Sequence, residues 1–108
     1  MSKWILYYDS RYINDTVREL LKLAKEIPDI EIVDTAGLSE QQLKDIYSNI
    51  LALISVFTGI KLRGRVRTHK AGTIFFGSGV LVRVEKDPRR GGIWIGKDAV
   101  EILKRGIQ

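Results

Sequence analysis

Between Lys61 and Gly72 the chain reads KLRGRVRTHKAG, which places a cation at every second position: Lys61, Arg63, Arg65 and Arg67, with His69 and Lys70 close behind. In an extended segment alternate side chains share a face, so the four cations line one side while Leu62, Gly64 and Val66 take the other. Same-face residues on a strand lie about 6.5 to 7 Å apart, comparable with the phosphate spacing along a nucleic-acid strand. Arginine stands at three consecutive outward positions where lysine would solvate the surface as well, and its planar fork grips phosphate oxygens. Arg83, Lys86, Arg89 and Arg90 follow from the adjoining hairpin and give the patch width. The competing explanation is a solvated strand face, or a charged guard against edge-to-edge aggregation.

The charge is concentrated there. Residues 61–90 hold nine of the eighteen Lys and Arg against only Glu85 and Asp87, so that segment carries +7 and the remainder −2, within a net +5. Such asymmetry is the electrostatic footprint of a polyanionic partner. The longest apolar run, Ile50 to Phe57, falls far short of the roughly 20 residues that span a bilayer, and no signal peptide is legible. The expectation is a cytoplasmic protein with a nucleic-acid partner, either DNA or RNA, and no membrane engagement. The chain has no cysteine, which excludes disulfides, thiolate catalysis and Cys-ligated zinc, and its single histidine leaves little for a metal site. No cofactor and no catalytic residue is expected.

Other residue types offer chemistry that must be weighed against plainer roles. His69 could be a general acid or base, although a loop histidine beside phosphates or solvent is the preferred assignment. Asp9 and Asp34 each end a strand, and two carboxylates at neighbouring parallel strand ends could hold Mg²⁺ for phosphodiester cleavage; capping loops or helices is the plainer role. The string VDTAG, Val33 to Gly37, matches the metal-water loop of GTPases in letters, but the G-x-x-x-x-G-K-[ST] phosphate loop those enzymes require does not occur. Tyr7, Tyr8, Phe75, Phe76 and Trp94 could stack bases, and at strand spacing in a small domain most would be core.

These groups depend on a scaffold that the hydrophobic pattern outlines. The 108 residues, 44% hydrophobic, suit one domain spanning 1–108. Trp4 to Asp9 reads as a first strand. Asn14 or Thr16 can cap a first helix, Thr16 with Glu19 as a capping box, whose apolar stripe is Val17, Leu20, Leu21 and Ala24 and which Pro28 ends. IEIVDTA, residues 30–36, supplies a second strand. Ser39 and Gln42 form a capping box for a second helix that runs to about Gly59. Its second half is apolar nearly all round, which favours a homodimer in which some of Ile50, Leu53, Ile54 and Phe57 face a partner subunit. Residues 61–67 are extended, TIFF, GSG and VLVRVEKD read as a hairpin, and DPRRGG turns the chain into a further strand at 93–95. A last helix covers Lys97 to Arg105 with Val100, Ile102 and Leu103 inward and Gly106 as its stop.

That order, with the phrases WILYYDSRYINDTVRELLKLAKEI, AGTIFFGSGVLVRV and IGKDAVEILKRG, resembles the thioredoxin and glutaredoxin superfamily across most of the chain. The resemblance implies an α/β fold, a three-layer thioredoxin-like βαβα-ββ-α arrangement with a mixed sheet and possible extra strands. It does not carry the family's chemistry. Tyr12 and Asp15 stand about where the family has its cysteine pair, and Gly72 stands where it has a cis-proline before the hairpin strand. Without a thiolate, thiol–disulfide exchange is excluded. The long second helix and the extended segments at 61–67 and 93–95 also depart from the family pattern. Three functions follow in order of preference: a small basic nucleic-acid-binding protein without redox activity; a redox-dead protein-binding adaptor with a groove at Tyr12, Ile13 and Gly72; and a metal-dependent nuclease.

Overall fold

The computed structural model describes residues 3–46, 48–49, 76–87 and 90–106. Within them the chain is α/β, built on a four-stranded mixed sheet of order β2-β1-β3-β4. Strand β1 (Lys3–Tyr8) runs parallel to β2 (Ile30–Asp34) and antiparallel to β3 (Val80–Val84), which pairs antiparallel with β4 (Gly92–Ile95). The parallel pair is joined by helix α1 (Asp15–Lys25), as a parallel connection requires.

Local sequence explains most boundaries. Of the two caps the sequence offers α1, Asn14 serves: its side-chain oxygen accepts from Val17 N–H at 2.9 Å, and Thr16 lies within the first turn. Helix α2 is described at residues 40–46 and 48–49, and the Ser39–Gln42 box that opens it is reciprocal. Gln42 N–H donates to Ser39 Oγ at 3.2 Å and Ser39 N–H donates to Gln42 Oε1 at 2.9 Å. The continuation of α2 toward Gly59, with the proposed subunit contacts Ile50, Leu53, Ile54 and Phe57, lies outside the described residues. Helix α3 (Lys97–Arg105) has the bounds expected of it, and its buried stripe is Ala99, Val100 and Leu103 with Ile102 partly buried.

Two expectations need correcting. The second strand ends at Asp34, because Asp34 caps a 3-10 turn over Thr35–Gly37 that the pattern had merged with the strand. Phe76 and Gly77 are helical rather than the end of a hairpin strand. Phe76 buries its ring 5.5 Å from Tyr7, and Gly79 N–H closes the turn on Phe76 O at 3.0 Å. Gly79 has φ +81°, and a Cβ there would collide with Leu20, so the turn into β3 requires glycine. The hairpin of the described residues is β3–β4.

Period-two alternation sorts the sheet residues onto two faces. Trp4, Leu6, Ile30 and Leu81 join Leu20, Ala24, Val100 and Leu103 of the packed pair α1 and α3. Tyr7, Val80 and Val82 lie on the other face with Phe76, and Leu43 and Ile46 of α2 pack against them.

Candidate functional site

Because β1 and β3 are antiparallel, the loop after β1 and the β3–β4 connection lie at opposite ends of the sheet. Each holds a cluster of charge.

At the first end, Asp9 leaves β1 with its side chain fully buried, 0% exposed. A buried carboxylate must find donors, and Arg11 supplies three: Nε to Oδ1 at 3.0 Å, a terminal guanidinium nitrogen to Oδ2 at 2.7 Å, and the backbone N–H to Oδ1 at 2.9 Å. Asp34, next to Tyr8 in the parallel register, accepts from the N–H groups of Ser10 at 3.1 Å and Ala36 at 3.0 Å through Oδ1. Thr35 Oγ1 donates to Tyr8 O at 2.9 Å. The two strand ends and the loop are thereby tied into one unit that leads into the Asn14 cap. Tyr12 and Ile13, at its crest, are 56% and 40% exposed.

The electrostatics follow from these bonds. Hydrogen bonding to Arg11 outweighs burial and holds the Asp9 carboxyl below the usual aspartate range. Burial would raise Asp34, but hydrogen bonds from Ser10 and Ala36 prevail and lower it. Both carboxylates are therefore ionised acceptors with assigned donors, and neither is poised to carry a proton. Among the described residues no group of three or more His, Cys, Asp or Glu could hold a metal ion. Of the positions matched to the cysteine pair, Tyr12 lies in this loop and Asp15 opens α1, paired with Arg18 at 2.8 Å; Gly72 lies outside the described residues.

At the other end, Arg83 bonds Glu85 Oε1 from Nε at 2.9 Å and from a terminal nitrogen at 2.8 Å. Its guanidinium carbon sits 5.5 Å from the centroid of Trp4. Trp4 in turn stacks on Trp94, with centroids 5.5 Å apart and planes inclined by 21°. Lys86 and Arg90 are exposed, and Arg90 N–H closes the connection on Asp87 O at 2.9 Å. Of the nine cations and one histidine singled out in the sequence, the structure thus brings Arg83, Lys86 and Arg90 to one hairpin end. Lys61, Arg63, Arg65, Arg67, His69, Lys70 and Arg89 lie outside the described residues, as does Phe75.

Tyr7 and Phe76 are core residues, and burial, followed by the charge of Glu31, raises the Tyr7 phenol above its ordinary value. Tyr7 also borders a cleft of about 380 Å³ between the sheet and α2, walled by Ile5, Val33, Leu38 and Ile46 with the Lys3–Glu31 ion pair, 3.1 Å, among its lining. Sequence reasoning passed over Arg11, although an arginine two residues after a strand-ending aspartate signals the clamp. It also passed over the Trp4–Trp94 stack, which two tryptophans on strands of one sheet could have suggested. Comparison with protein-family models, curated proteins and solved structures finds no match to the chain.

Proposed function

We propose that this chain is a small basic nucleic-acid-binding protein without redox activity, gripping phosphates through the alternating cations of residues 61–70 and the cations of the β3–β4 hairpin. The observation that carries the reading is the division of charge, +7 over residues 61–90 against −2 over the rest. The exposure of Lys86 and Arg90 agrees with it. We assign the scaffold to a redox-silent thioredoxin-like class, supported by the parallel β1-α1-β2 unit, the antiparallel β3–β4 pair and the closing helix. We further place the protein in the cytoplasm as a homodimer; among the described residues no helix is long and apolar enough to cross a membrane.

Phosphate contacts release counterions, so affinity for DNA or RNA falls steeply with salt, and the log–log slope reports their number. A binding series with single-stranded and duplex probes tests the reading, and absence of binding at low salt overturns it.

A second reading has its own observation. The exposed Tyr12 and Ile13 crest a firmly tied loop, which suits a redox-dead adaptor that presents this loop to a protein partner. Loss of a captured partner with Ile13→Asp supports it, whereas capture unchanged by that substitution removes it. The nuclease reading, ranked third, draws no support from Asp9, whose carboxylate is taken by Arg11.

A further inference from the structure

Resting on the nucleic-acid reading, we propose that Trp94 is a base-stacking platform for unpaired nucleotides, with Lys86 and Arg90 receiving the flanking phosphates. Three features of the β3–β4 hairpin converge. The first is position: Trp94 lies on β4, which has a paired neighbour only on its β3 side among the described residues. It stays partly exposed while its stacking partner Trp4 is only 5% exposed. The second is support. Trp94 stacks on Trp4, whose ring also meets the Arg83 guanidinium, so Trp94 is backed by a buried ring rather than by solvent. A ring fixed in this way loses little freedom when a base stacks on it.

The third feature is direction. Gly92 has no side chain, and a Cβ there would collide with three atoms of the Trp94 six-membered ring. The indole therefore lies back over Gly92, toward the connection that carries Arg90, two residues earlier, and Lys86. Gly92 is paired with Arg83, the last pair before that connection, so the platform and the two exposed cations share one end of the hairpin. Aromatic rings stack on any base, whereas duplex bases have both faces covered, so the ligand is single-stranded and sequence preference is weak.

The test measures binding of a fluorescent oligothymidylate and of a duplex of equal length to the full chain across a salt series, while tryptophan emission is followed. The expected results are preference for the single strand and quenching of tryptophan emission on binding. Trp94→Ala should weaken single-strand binding about 5- to 150-fold, the range for one lost base stack, with the salt slope unchanged. Trp94→Phe retains most of the affinity. Binding by the wild-type chain with unaltered emission, with equal affinity for the duplex, or with no change in a folded Trp94→Ala variant overturns the platform and leaves the phosphate reading standing. Absence of any binding at low salt overturns both. The emission and duplex comparisons use the unaltered protein, so the result does not depend on the stability of the variants.

Discussion

The two ends of the sheet each pair an arginine with a carboxylate, but they differ in the charge left exposed beyond that pair. After β1, Arg11 turns back onto the fully buried Asp9 and spends its charge on holding a loop. In the β3–β4 hairpin, Arg83 is also neutralised, by Glu85, but it lies against Trp4 and the aromatic layer, with Lys86 and Arg90 exposed beyond it. A cation next to a buried carboxylate is a structural device, whereas cations around an exposed rim are available to a ligand. Net charge counts both kinds equally, and only their surroundings separate them.

The largest expected effect tests the aromatic layer. Trp4→Ala removes the buried ring that touches both Arg83 and Trp94 and should cost about 3 to 5 kcal/mol in denaturant unfolding. A cost within experimental error would show that the hairpin end is not anchored in the core.

Next in size is the clamp at the other end. Asp9→Ala leaves the Arg11 backbone N–H without its acceptor, and the loss should be about 1 to 3 kcal/mol in the same assay. Nucleic-acid affinity of the folded fraction should not change. A salt slope that shifts with Asp9→Ala would erase the distinction between the two ends.

The clamp also fixes a pH dependence. Asp9 and Asp34 have folded pKa values below the unfolded one of about 3.9, so their contribution is fully present above that value. It is lost as pH falls from there through the folded values. Thermal melting should therefore decline below about pH 4, and the decline should be shallower in Asp9→Asn, which cannot titrate at that position. An identical acid limb in both proteins would remove Asp9 from the account.

The smallest stability effect belongs to the rim. Lys86→Ala and Arg90→Ala should each change stability by less than about 0.5 kcal/mol. Each should also lower the salt slope of nucleic-acid binding by roughly one unit. Destabilisation without a change in slope would make these cations structural, like Arg11.

The sequence carried much of the scaffold because its signals are local. The Ser39–Gln42 box and the apolar stripes of α1 and α3 act within a few residues of themselves and operate as read, and of the two caps offered for α1 the structure uses Asn14. The parallel neighbourhood of Asp9 and Asp34 was also legible from their positions at strand ends. Phe76 was not, since a ring in an apolar phrase can extend a strand or turn across it; in the structure it is helical and packs on Tyr7. Arg83 shows the same limit at the candidate site: its charge and the Glu85 two residues on were readable, but the Trp4 contact depends on strand pairing.

By itself the sequence determined the α/β pattern of these segments, the concentration of positive charge in residues 61–90 and, through the absence of cysteine, the exclusion of thiol chemistry. Tertiary structure decided which charges are consumed. Asp34 came to hold the loop after β1, through Ser10 N–H, when β1 and β2 aligned their ends, and Trp4 met Trp94 when β3 brought β1 and β4 onto one sheet. The physical reason is that a charge or ring acquires its role from the donors, acceptors and faces within a few ångströms of it, and chain reversal sets those neighbours across sequence distances that no local pattern encodes.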